Sequence, residues 1–330
     1  REMEGFYDAH VREPVFRLAV RIGLAAAGGS DVGVNLASAA FSTLLLWGTY
    51  ALGSACFGGG VGFVAALLLA VEPMAIALGA DGWRDDAFAL FVLLSTLALV
   101  RLCEDPSPRR ALWAGFAGAA ACLTRITSLS FLLPGTAAVV LWGPGSRKAR
   151  VLSGARALLV CGLLLAPYLA TCAVVFGDPF VSINAHTQFY RDRASQGLAP
   201  SMSWLGYLAT SFRPLELVGN LVLGLTVYPF SNKWLAYDLW IPHCSRVLEV
   251  VSLAGLLLFL ARPPGRLLLL VLLSTLVPFA FTWRIPGGSE WRFTLVAYPF
   301  YLLAAALALD RAATTILRAG ARAGAASGPR

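Results

Sequence analysis

The chain has 330 residues, of which 58% are hydrophobic and only 13% charged, and its mean hydropathy is +0.72. A water-soluble fold, with roughly 25% charged residues, could not hide that much apolar side chain, whereas a bilayer solvates it. The net charge of +8 falls mostly in short gaps between apolar runs, a pattern of membrane topology and not of a nucleic-acid surface.

In chain order, residues 1–14 are polar and carry Glu2, Glu4, Asp8 and Glu13. Residues 15–28 place Arg17 and Arg21 four apart on an otherwise apolar stretch, which predicts a helix lying in the interface. Apolar runs of spanning character follow at about 34–52, 60–79, 86–102, 110–123, 127–143 and 152–176. The fourth is short and rich in Gly and Ala, which suits close helix packing. The 177–244 stretch is amphipathic and holds Trp204, Trp234 and Trp240, as expected at a membrane–water boundary. Three more apolar runs, about 245–261, 265–282 and 293–309, lead to an Ala/Gly/Arg tail over 311–330 that reads as disordered.

Charge sets the expected orientation. Arg101, Arg109 and Arg110 form one basic cluster, and Arg147, Lys148 and Arg150 a second. Arg262 with Arg266, and Arg311 with Arg318 and Arg322, form two more. The positive-inside rule puts all four in the cytoplasm. That requires about nine spans, with 215–231 lying in the interface instead of crossing. The division is then an outer loop with an interfacial helix (1–30), a first bundle (31–176), an outer region (177–244), three last spans (245–310) and a cytoplasmic tail (311–330). The segments 1–30, 80–86, 124–125, 177–244 and 283–292 share the outer face, so chemistry is expected there.

Individual residues carry two readings each. Arg84, Asp85 and Asp86 stand at the mouth of a helix, where acids complement the helix dipole or form the charged wall of a substrate pocket. Glu72 sits inside an apolar run, and a carboxylate at that depth faces protein or a cavity. Arg125 reads as a snorkelling anchor or as a site residue. Arg292 opens the last span and could grip a phosphate, with Glu290 to orient it. Asp8, beside Tyr7, could serve as a general base, or be one solvated acid among four. His10, His186 and His243 lack metal-ligand spacing. The cysteines lie singly, with no CxxC pair, and read as small packing residues.

Taken in order, several segments resemble the C-type (GT-C) membrane glycosyltransferases, and within them the family 39 protein mannosyltransferase and aminoarabinose transferase group. They are REM…REPVF at the start, GSDVGVNLASAAFSTLL, GWRDDAFALFVLLSTLAL, GFAGAAACLTRITSLSFLLPG, FGDPFVSIN, and EWRFTLVAYPFYLLAAALAL near the end. The resemblance implies an all-α, polytopic transmembrane bundle that moves a sugar from a polyprenyl-phosphate donor to a lipid or protein hydroxyl on the outer face. It implies a multi-pass protein of the bacterial inner membrane, with membrane lipids and no nucleic acid as partners. No cofactor is assigned, and a divalent cation is left open. A transporter or flippase, and a ligase or polymerase of surface glycans, are the alternatives.

The family's catalytic acid follows its first transmembrane helix and precedes an REM-like segment. This chain opens at that segment, without an initiator Met, and is expected to lack that helix and the acid with it. Asp8 and Glu4 stand in as catalytic residues. Arg292, which resembles the family's late Arg-Tyr element, Arg12, near its Lys-Pro-Pro, and Arg84 are the expected donor-phosphate contacts. Tyr7, Asp85, Asp86 and Glu290 are the expected substrate contacts, and no metal ligand is named.

Overall fold

Each of the nine apolar runs forms a helix or a broken helix in a computed structural model of the protein, which describes residues 13–80, 82–185, 188, 203, 205–206, 209, 213–226, 233–234, 239–240, 246–280 and 295–326. Pro14 at the first helical position opens α1 (Pro14–Ala26), where its missing N–H and fixed φ cost nothing. Phe16, Val20 and Leu24 recur every four residues and are buried against Val34, Ala37 and Phe41. Gly28 and Gly29, at φ +62° and +81°, turn the chain back into α2 (Val32–Phe57). The approach is close, because a Cβ on Gly23 would strike the Gly33 carbonyl.

The run expected over 60–79 is broken. It forms α3 (Gly59–Ala70) and α4 (Pro73–Ala80), with Glu72 buried at the break. Pro73 explains this, since it donates no backbone hydrogen bond and disfavours helical geometry at the residue before it. Next come α5 (Asp85–Glu104), α6 (Pro108–Thr124), a 3-10 turn (Ile126–Ser128), α7 (Leu129–Trp142) and α8 (Arg147–Phe176). A 13-residue helix, α9 (Pro214–Thr226), is about 20 Å long and shorter than the roughly 30 Å hydrocarbon core. The strands β1 (Lys233–Trp234) and β2 (Leu239–Trp240) pair antiparallel. Then α10 (Arg246–Phe259), α11 (Pro263–Ala280), a second 3-10 turn (Leu295–Ala297) and α12 (Tyr298–Ala326) complete the chain. The tail expected to be disordered from residue 311 instead continues α12 as far as Ala326.

Four of these helical stretches, Val32–Phe57, Asp85–Glu104, Arg147–Phe176 and Leu295–Ala321, are long and apolar enough to cross a membrane unaided. Shorter apolar helices pack among them. Small residues set the contacts, as they do where lipid offers no hydrophobic drive between helices. Gly115 of α6 lies against Ala157 and Val160 of α8, Gly118 against Leu132 of α7, and Gly255 of α10 against the Ala304 carbonyl of α12. Leucines 158, 159, 163 and 164 of α8 and Trp113 and Phe116 of α6 face outward, as lipid-contacting side chains would.

The bundle therefore has two distinct ends. One carries the start of α1, the 82–85 turn, the end of α6 and the residues after α8. The other carries the ends of α2 and α10, whose Phe57 and Phe259 rings stack at 5.2 Å, together with Arg101, Glu104, Asp105 and Arg110 in surface ion pairs. Gly115→Leu should disrupt the α6–α8 contact, because even its Cβ would come within 2.6 Å of the Val160 side chain. The expected loss is about 1–3 kcal/mol of stability, read as a lower thermal midpoint in detergent, while Gly162→Ala, which meets nothing within 4 Å, should leave the midpoint unchanged.

Candidate functional site

The polar end of the bundle is built around Glu13, the residue just before α1. Its carboxylate is 2% exposed and accepts three hydrogen bonds from segments remote in sequence. Arg84 donates through Nη1 at 2.5 Å, the Ile126 backbone N–H at 2.9 Å, and the Ser182 hydroxyl at 2.9 Å. One carboxylate thus joins the N-terminal segment, the turn before α5, the 3-10 turn after α6 and the segment after α8.

Each partner is positioned locally. Gly82, at φ +75°, allows the turn that presents Arg84, and Ser38 of α2 donates to the Trp83 carbonyl at 3.2 Å. Asp178 organises the stretch holding Ser182, accepting from the Phe180 N–H at 2.8 Å and from Asn184 at 2.5 Å. Burial alone would push the Glu13 carboxyl up, but the Arg84 guanidinium, the Ile126 N–H and Ser182 outweigh it, so its pKa falls below the ordinary 4.5.

A second ion pair lies beside the first. Arg125 approaches Asp85 at 3.3 Å, and both are buried. Its guanidinium carbon also lies 5.1 Å from the centre of the Phe88 ring, a cation–π contact inside the protein. The snorkelling reading of Arg125 is thereby replaced: the charge points inward to Asp85. Asp85 and Asp86 do occupy the first turn of α5, as the helix-dipole reading expects.

Asp86 differs from its neighbour. It is 1% exposed, and among the described residues neither carboxylate oxygen has a hydrogen-bond partner. It stands over Gly79 of α4, where an added Cβ would come within 2.8 Å of the Ser42 hydroxyl and 3.3 Å of Asp86 Oδ2. A buried, unsatisfied carboxylate is costly and marks a place where a ligand or a proton is accommodated. Among the described residues, Arg84 bonds to Glu13 through Nη1.

The structure thus brings Arg84, Asp85 and Asp86 together at one end of the bundle. Glu4, Tyr7, Asp8, Arg12, Glu290 and Arg292 lie outside the described residues. Glu13 and Ser182 are the members that sequence reasoning did not single out, and Arg125, weighed there as an anchor or a site residue, was not among the expected contacts. The signal for Glu13 was its place directly before Pro14 and an amphipathic helix, while nothing in the sequence marks Ser182. Among the described residues, no three His, Cys, Asp or Glu side chains are grouped to hold a metal.

Glu13→Ala should cost about 3–5 kcal/mol, because it strands the buried Arg84 charge. The lowered pKa also fixes a sign. The stabilisation from ionised Glu13 is complete above the ordinary value of 4.5 and is lost as pH falls through the depressed value. Thermal midpoints measured from neutral to acidic pH should fall more steeply for the native chain than for Glu13→Gln, and parallel curves would contradict the assignment.

The comparisons with known proteins bear on the fold. Residues 11–171 match the model of the dolichyl-phosphate-mannose-protein mannosyltransferase family. Among curated proteins, none matches. The fold is similar to that of the oligosaccharyltransferase AglB of Archaeoglobus fulgidus, solved with an inhibitory peptide and a dolichol-phosphate, at TM-score 0.58 and 15% identity over 97% of this chain. The same archaeal enzyme solved with Zn and sulfate gives TM-score 0.57 and 14% identity over 96% of this chain. The chain spans less than half of that enzyme, 44% and 43% of its length in the two structures. The match over residues 11–171, just under half of the chain, and the shared helical architecture make this chain similar to the C-type (GT-C) membrane glycosyltransferases.

Proposed function

We propose that the protein transfers a sugar from a polyprenyl-phosphate donor to a lipid or protein hydroxyl, at the outer face of a bacterial inner membrane. The observation that carries this reading is the buried charge cluster at one end of an apolar bundle. Arg84 is held by Glu13, and at the same end of the bundle the buried Asp86 carboxylate has no hydrogen-bond partner among the described residues. The donor in this reading is amphiphilic, so its prenyl chain rests among the helices while its phosphate reaches the charged end.

The roles follow from charge. Arg84, with Arg12 and Arg292, neutralises the departing prenyl phosphate, where negative charge grows as the glycosidic bond breaks. Asp86, with Asp85, Tyr7 and Glu290, binds sugar or acceptor hydroxyls. Asp8 or Glu4 takes the proton of the acceptor hydroxyl as it attacks the anomeric carbon. The match to the mannosyltransferase family and the dolichol-phosphate named with the archaeal enzyme support a lipid-linked donor.

The test is transfer of radiolabelled mannose from polyprenyl-phosphate mannose by the reconstituted protein. Asp86→Asn and Arg84→Gln should each lower kcat/KM by about 10- to 100-fold, the scale of one lost charge-assisted hydrogen bond. Asp86→Asn must keep a helix content and thermal midpoint close to native, whereas Arg84→Gln, which strands Glu13, is assayed at a temperature where it remains folded. Native turnover in both variants would remove this end of the bundle as the active site.

A further inference from the structure

The last helix outlasts the bundle. Leu303 of α12 meets Gly53, four residues before the end of α2, and Ala304 meets Gly255, four before the end of α10. The helix therefore leaves the bundle near Leu307, yet it continues to Ala326. At 1.5 Å per residue, this extension is about 28 Å long. From Ala308 to Ala321 no side chain is buried.

Its side chains are sorted by face. Arg311 and Arg318 are seven residues apart and share one side of the helix, since seven residues make almost two turns. Leu309, Ile316 and Leu317 fall on the opposite side, the last two 70% and 73% exposed. The extension and the residues after it, 308–330, hold four arginines and one acid, Asp310. The α10–α11 turn beside the exit adds Arg262 and Arg266. Thr315 donates to the Arg311 carbonyl at 2.8 Å, a back-bond that favours bending of a helix at that level.

We propose that the α12 extension is a lipid-binding arm, which lays its Leu309–Ile316–Leu317 face into the nearby leaflet and sets Arg311 and Arg318 against anionic phospholipid headgroups. Charge complementarity selects this occupant, because a segment with four arginines against the single acid Asp310, tethered at a membrane surface, meets anionic lipid at high local concentration. A second copy fits less well. Three apolar side chains within nine residues make little more than one heptad, where a helix pair needs three or four. The positive-inside rule makes the leaflet the cytoplasmic one, opposite the proposed active site.

The experiment uses the whole chain carrying Ile316→Cys, in nanodiscs of phosphatidylcholine alone or mixed with phosphatidylglycerol. Reaction of Cys at 316 with a membrane-impermeant maleimide is followed by mass spectrometry on its own peptide, so native cysteines do not interfere. Phosphatidylglycerol should slow labelling about tenfold, the effect of one or two basic residues at an anionic surface. Adding Arg311→Gln and Arg318→Gln should restore fast labelling, and the two arginine-to-lysine replacements should keep it slow. Leu317→Cys gives the same reading if the first variant folds poorly. Equal rates in both lipids would overturn the proposal, and so would slow labelling that appears only in discs holding two copies. Sugar transfer is not part of this readout, so the arm and the proposed activity stand or fall separately.

Discussion

A single buried carboxylate, Glu13, holds the polar end of this bundle together. Its three hydrogen bonds reach residues 71, 113 and 169 positions away. Helices in a bilayer gain little from hydrophobic association with one another, so polar contacts of this kind decide which ends meet. Without Glu13, Arg84 would be a buried charge without a counter-ion, and the segments after α6 and α8 would lose a shared acceptor. The ion pair of Asp85 with Arg125 depends on the same turn and the same end of α6.

The electrostatics of this end are balanced but incomplete. Glu13 and Asp85 each face an arginine, and these contacts use charge to fix positions. Asp86 has no such partner and packs over Gly79, beside Ser42. Natural interiors rarely leave a carboxylate unsatisfied. The same economy separates the two ends of the molecule. Acids and bases are paired and buried at one end. At the other they form exposed ion pairs among Arg101, Glu104, Asp105 and Arg110, which contribute little.

Much of the fold was legible in sequence because hydropathy reports membrane helices directly. All nine apolar runs became helical, and Arg17 and Arg21, four apart on an apolar stretch, announced the helix that became α1. The apolar run over 60–79 gave no sign of its complete break before Pro73. The tail misled for a related reason: Ala-rich sequence reads as low complexity, yet alanine is the best helix former and extends α12. The site was legible only in part. Arg84, Asp85 and Asp86 stood out as a charged turn beside an apolar run. Glu13 did not, since four acids in a polar segment look alike until one of them meets an arginine 71 residues later. Long-range pairing leaves no periodic trace in a single sequence.

The central claim is that Glu13 and Arg84 act as one unit, and a double-mutant cycle tests it most directly. Unfolding free energies are compared for the native chain, Glu13→Gln, Arg84→Gln and the double variant in the same detergent. The account predicts strong non-additivity, with a coupling above about 1 kcal/mol, because the second substitution removes a charge that the first has already stranded. Additive losses would show that the two side chains are energetically independent and would contradict the account.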